Sequence, residues 1–86
     1  MLRISEAATG DESVVLKLEG RIVGPWIDEL DNACARLLER GKSLKLDMAE
    51  VSYVDRNGIA LLLLLKQRAV LLEGCSPFVN QELKEA

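Results

Sequence analysis

Eighty-six residues, 49% hydrophobic and 29% charged, describe one globular domain with a single small core and exclude a disordered chain. A net charge of −3 and only three aromatic side chains, Trp26, Tyr53 and Phe78, leave neither the basic footprint nor the stacking platform of a nucleic-acid binder. The absence of histidine removes the commonest general base and the commonest metal ligand.

Leu2 and Ile4 alternate with Arg3 and Ser5, the mark of a first strand, and Thr9-Gly10-Asp11-Glu12 is a turn cluster. From Ser13 the alternation strengthens. Val14, Leu16, Leu18 and Ile22 share one face, and Lys17, Glu19 and Arg21 the other, which predicts a second strand antiparallel to the first. Gly20 falls where a bulge or bend would sit. The first helix is predicted over 25–40. Pro25 suits its first position, because the N–H that proline lacks would be unpaired there anyway. Asp28 and Glu29 lie near the positive end of the helix dipole, Arg36 and Arg40 near the negative end, and Gly41 can take the left-handed closing conformation. Ile27, Leu30, Cys34, Leu37 and Leu38 form the buried stripe, with Trp26 at its margin.

Leu44, Leu46 and Met48 alternate with Lys45 and Asp47 as a core strand. Strand, helix and parallel strand joined by short links make a right-handed βαβ unit. Ala49 to Val54 reads as a short loop, and Asp55-Arg56-Asn57-Gly58 as a polar turn at the start of a helix. Such a turn lies outside the carboxyl edge of the sheet, where α/β folds tend to place their sites. The second helix is predicted over 58–72, with Leu61, Leu62, Leu65, Ala69 and Leu72 toward the sheet. Its first two turns are apolar all round, so it is buried on two sides or meets another protein. Gly74-Cys75-Ser76 turns the chain, Ser76 caps, and Pro77 opens a short helix over 77–85 with Phe78, Val79 and Leu83 on its inner side.

Cys34 reads as a core side chain, and Cys34 and Cys75 form no C-x-x-C pair, so neither a redox motif nor a thiolate metal site is expected. The start at Met1 carries no secretory-signal pattern, and no apolar run reaches the ~20 residues of a membrane helix. A cytoplasmic protein with reduced thiols and no membrane insertion is expected.

The order β-β-α-β-α-α resembles a STAS domain, the small module of bacterial anti-sigma-factor antagonists and of sulfate-transporter tails. The resemblance rests on Val14 to Glu19 running into Gly20-Arg21-Ile22, the helix after Pro25, and Leu46-Asp47-Met48-Ala49-Glu50-Val51. Tyr53-Val54-Asp55-Arg56-Asn57-Gly58 before the leucine helix and Ser76-Pro77-Phe78-Val79 also match. The likeness spans nearly the whole chain, 1–86, as a single domain. It implies an α/β fold with a mixed sheet packed against the three helices. It also implies a protein–protein regulator, resembling an anti-sigma-factor antagonist, whose partner touches Asp55, Arg56, Asn57, Gly58 and Ile59. That partner would be an anti-sigma factor of the serine-kinase type. A second implication is an accessory STAS subunit of an ABC-type membrane transporter, since small free-standing STAS proteins support an ATPase subunit. No cofactor and no metal are expected.

Two departures from the family pattern matter. In phosphorylatable antagonists a hydroxyl residue directly before the glycine is the usual kinase target. Here that place is Asn57, which has no hydroxyl to accept a phosphoryl group, and nearby Ser52 does not match the family's site. No phosphorylation switch is expected at this turn. The second departure is a missing strand. Only Gly74-Cys75-Ser76 separates the two last helices, and three residues at ~3.3 Å each cannot cross back along a sheet. About three strands are therefore expected, with an open edge that would pair with another chain in a homodimer or larger assembly.

Asp, Asn and Gly are also the residues that any tight turn or helix cap prefers, so structure accounts for Asp55 to Gly58 as readily as recognition does. As a recognition surface, helix N–H groups beside Arg56 would receive an anion or a partner's carboxylate. Asp47 and Asp55 would suit acid–base chemistry or magnesium only as a pair. With no histidine, lysine or glycine-rich phosphate loop beside them, solvation and capping explain them better. The small-enzyme reading is the weakest, and no catalytic residue is assigned.

Overall fold

In the computed structural model, which describes residues 2–85, strands β1 (Leu2–Thr9) and β2 (Ser13–Ile22) pair antiparallel. Helix α1 (Pro25–Glu39) then carries the chain to β3 (Ser43–Val54), parallel to β2. Helix α2 (Arg56–Gln67) repeats the crossover to β4 (Leu71–Glu73), parallel to β3, and α3 (Pro77–Glu85) follows. The sheet order is β1-β2-β3-β4. One face of the sheet, with Val14, Leu16, Leu18, Leu44, Leu46 and Met48, closes on Leu30 and Cys34 of α1, Leu62 and Leu65 of α2, and Val79 and Leu83 of α3. Each such side chain, once buried, contributes about 1.5–3 kcal/mol. Among the described residues no polar or charged side chain is buried, and no helix is long and apolar enough to cross a membrane.

The ends of α1 follow the sequence signals. Gly41, at φ 75°, donates its N–H to the Leu38 carbonyl (3.0 Å), and Lys42 donates to that of Leu37 (3.2 Å), the paired bonds of a glycine-terminated helix. Cys34 is a free thiol in the core. Burial, reinforced by the charge of Asp31 and opposed by that of Arg68, pushes it from its ordinary 9.0 up to about 12. The unfolded chain sheds this proton above pH 9 and the folded one keeps it, so stability falls as pH rises from 9 toward 12.

Ala49 to Val54 is not a loop but the second half of β3. Lys17 faces Asp47 while Glu19 faces Glu50, and Gly20 faces Val51 while Arg21 faces Tyr53, so β3 carries an extra residue at two places. Each extra residue resets the inward-facing position, from Met48 to Val51 and then to Val54. The alternation that marks a strand is lost with it. Gly20, at φ 106°, sits at the second shift, close to its expected role. The first bulge is held by Asp47 Oδ1, which accepts the Ala49 N–H (3.0 Å), and the second by Ser52 Oγ, which donates to the Gly20 carbonyl (3.2 Å).

The second helix ends at Gln67, five residues before the expected end at Leu72. Ala69, at φ 67°, donates to the Lys66 carbonyl (3.1 Å), and Val70 donates to that of Leu65 (3.0 Å). This is the reversal that closes α1, made here without glycine. No glycine or proline marks the stop, and Leu71 and Leu72 prolong the apolar spacing, so the sequence hides it. Leu71 to Glu73 instead lies beside Lys45 to Asp47, where Lys45 Nζ meets Glu73 Oε1 at 3.0 Å.

The sheet therefore has four strands rather than three, and the strand expected to be missing is built from Leu71 and Leu72, which were assigned to the end of the helix, together with Glu73. The expected open edge argued for a homodimer; β4 covers the edge of β3 and is itself an outer edge of three residues. The other outer edge, β1, carries Arg3, Glu6 and a register shift between Glu6 and Ala8, features that discourage pairing with another chain. Replacing Ala69 with glycine should relieve the left-handed strain and stabilise the fold by about 0.5–1 kcal/mol after glycine's own entropic cost. A urea titration should show a higher midpoint at unchanged slope, and a lower midpoint would refute this.

Candidate partner-docking site

Parallel strands β2 and β3 end side by side at Ile22 and Val54, and the chain leaves both at one corner. Asp55 organises that corner. Its backbone N–H donates to the Ile22 carbonyl (3.2 Å), its Oδ1 accepts the Gly58 N–H (2.8 Å), and its Oδ2 accepts the Gly24 N–H (3.3 Å). A single carboxylate thus caps α2 and ties down the link into α1. Behind it Gly58 is buried against the strand ends, and a Cβ there would lie 2.6 Å from Val54 Cγ1 and 2.8 Å from the Ile22 carbonyl oxygen.

Of the five residues expected to meet a partner, Arg56 and Asn57 are exposed, Asp55 is half-buried, and Gly58 and Ile59 are buried. The corner therefore presents two side chains, held from behind by the other three. Of the helix N–H groups expected to receive an anion, that of Gly58 is already taken by Asp55, and the Arg56 side chain is exposed beside it. Asp47 stands eight strand residues from Asp55, at about 3.3 Å per residue, so the two carboxylates do not form a pair. Among the described residues no cluster of His, Cys, Asp and Glu could hold a metal ion.

Beside the corner lies a groove of about 490 Å³ between α2 and α3. Arg56, Ile59, Ala60 and Leu63 line one wall, Phe78, Glu82 and Glu85 the other, and Tyr53 and Val54 the end. The Tyr53 and Phe78 rings stack with centroids 6.5 Å apart and planes at 21°, and they stay 46% and 53% exposed. Phe78 was expected to face inward and does not. Val79 and Leu83 hold the inner face of α3, whose start is capped by Ser76 Oγ accepting the Val79 N–H (3.2 Å), as expected. Sequence reasoning missed the groove. A signal existed in the spacing of 78, 82 and 85 (i, i+4, i+7), which share one helix face apart from the buried stripe.

A family model described as "Mlab, STAS domain" matches residues 5–86. Among solved structures, that of the anti-sigma factor antagonist SpoIIAA in its unphosphorylated form is similar over 98% of this chain and 84% of that one. The TM-score is 0.77 at 17% identity, a likeness of fold. No curated protein matches.

Proposed function

Because the chain belongs to the STAS domain family, we propose that it is a protein-binding regulator of the anti-sigma-factor antagonist kind. The single observation that supports this reading is the exposure of Arg56 and Asn57 on a corner that Asp55 and Gly58 hold rigid from behind. A preorganised pair of this kind loses little conformational entropy on binding. The partner is an anti-sigma factor of the serine-kinase type, and Arg56 meets a carboxylate on it. Immobilised protein should capture such a factor from cell extract. Arg56→Glu should weaken binding at least tenfold without lowering the unfolding midpoint, since a carboxylate is favoured in the first turn of a helix. Undiminished binding would remove the corner from the interface.

Asn57 leaves this turn without an acceptor for a phosphoryl group, so binding through it is not switched by phosphorylation there. If the corner keeps the geometry of a switchable antagonist, Asn57→Ser should become a substrate of the captured kinase, measured as phosphate incorporated at that residue. The missing hydroxyl also favours a second reading, in which the protein is an accessory subunit of an ABC-type transporter, because a permanent subunit needs no such switch. Identification of the captured protein as a transporter ATPase rather than an anti-sigma factor decides for it.

A further inference from the structure

We propose that the groove between α2 and α3 receives an amphipathic helix of the partner that carries lysine or arginine along one flank. This rests on the docking role proposed above and specifies the partner's chemistry at the same site. Both walls repeat at helical spacing: Arg56, Ile59, Ala60 and Leu63 on α2, and Phe78, Glu82 and Glu85 on α3. Two helices side by side form a trough that a third helix fills by the same ridge-and-groove packing, here with Ile59, Ala60, Leu63 and Phe78 as its apolar lining. The exposed Tyr53 and Phe78 rings supply the large, stiff contact surface on which interface energy concentrates.

Charge selects the occupant. Glu82 and Glu85 lie on the α3 wall, and neither makes an ion pair among the described residues. Glu85 accepts a hydrogen bond from Gln81 Nε2 (3.2 Å). Arg56 lines the same groove, yet no ion pair joins it to either glutamate. The acidic wall is therefore open, and its carboxylates are one helical turn apart. Basic residues repeating every turn on an incoming helix match that spacing. The chain's net charge of −3 adds steering toward a basic segment.

The test uses two synthetic helical peptides of roughly 15 residues with the same leucine stripe, one flanked by lysines and one by glutamates. Each is titrated into the isotope-labelled full chain, with amide resonances as the readout. The lysine peptide should shift the signals of Tyr53, Ile59, Leu63 and Phe78 and bind at least tenfold more tightly than the glutamate peptide. Phe78→Ala should weaken both peptides. The Glu82→Lys, Glu85→Lys double variant should reverse the preference, whereas the equal charge change of Asp28→Lys, Glu29→Lys on α1 should not. Shifts that map away from the groove, equal binding of the two peptides, or the same effect from both charge reversals would overturn the proposal. So would groove signals that move with protein concentration alone, since the occupant would then be a second copy of this chain. No natural partner enters the experiment, so the two readings fail separately. If the peptides miss the groove while Arg56→Glu still weakens capture, the corner stands without the groove.

Discussion

Gly58→Ala should cost about 2–3 kcal/mol of stability and lower the thermal midpoint by roughly 8–24 °C. Alanine is the better helix former by about 1 kcal/mol, so the whole loss, and that gain besides, must come from collision. The added carbon would lie 2.6 Å from Val54 Cγ1, 2.8 Å from the Ile22 carbonyl oxygen and 3.1 Å from Ile22 Cγ2. None of these can retreat easily. Ile22 and Val54 are core side chains, and the Ile22 carbonyl already accepts the Asp55 N–H (3.2 Å). Relief requires the first turn of α2 to move off the strand ends, which carries Arg56 and Asn57 with it. Circular-dichroism melts of the two proteins decide the matter. A midpoint unchanged within error would mean that α2 slides without cost and that the corner lacks its rigid backing.

Removing the carboxylate from the same corner gives the second large effect. Asp55→Ala deletes the acceptor of both the Gly58 and Gly24 N–H groups, and should cost about 2 kcal/mol. Asp55→Asn separates the two bonds. Its amide oxygen can still cap Gly58 at full strength, but its NH₂ group cannot accept from Gly24, so it should lose roughly half as much. Urea titrations of the three proteins should therefore rank native, asparagine and alanine at evenly falling midpoints. If asparagine matches the native protein, the Gly24 contact carries no energy and the carboxylate serves as a cap alone.

These two residues show what reads directly from a chain. Asp55 three positions before Gly58, Ser76 three before Val79, and Gly41 just past α1 are local devices. Their partners lie within a few residues, so spacing alone reveals them. The alternation of β2 and of Leu44 to Met48 is legible for the same reason, since one face of each strand meets the core without interruption. The corner proposed for docking was visible as a polar turn between a strand and an apolar helix.

Tertiary structure decided the rest. The bulges that extend β3 to Val54 exist only in register with β2, about thirty residues earlier, and they erase the alternation by which a strand is recognised. Ala69 takes a conformation that favours glycine because β4 then reaches its place beside Lys45 to Asp47, which the residues around Ala69 do not reveal. Tyr53 and Phe78 meet across the end of the groove from separate elements, and Phe78, an expected core residue, faces outward while Val79 and Leu83 take the inner side of α3. Periodicity along the chain determined which faces are apolar; which of them stay uncovered depended on hydrogen bonds and packing between segments far apart in sequence.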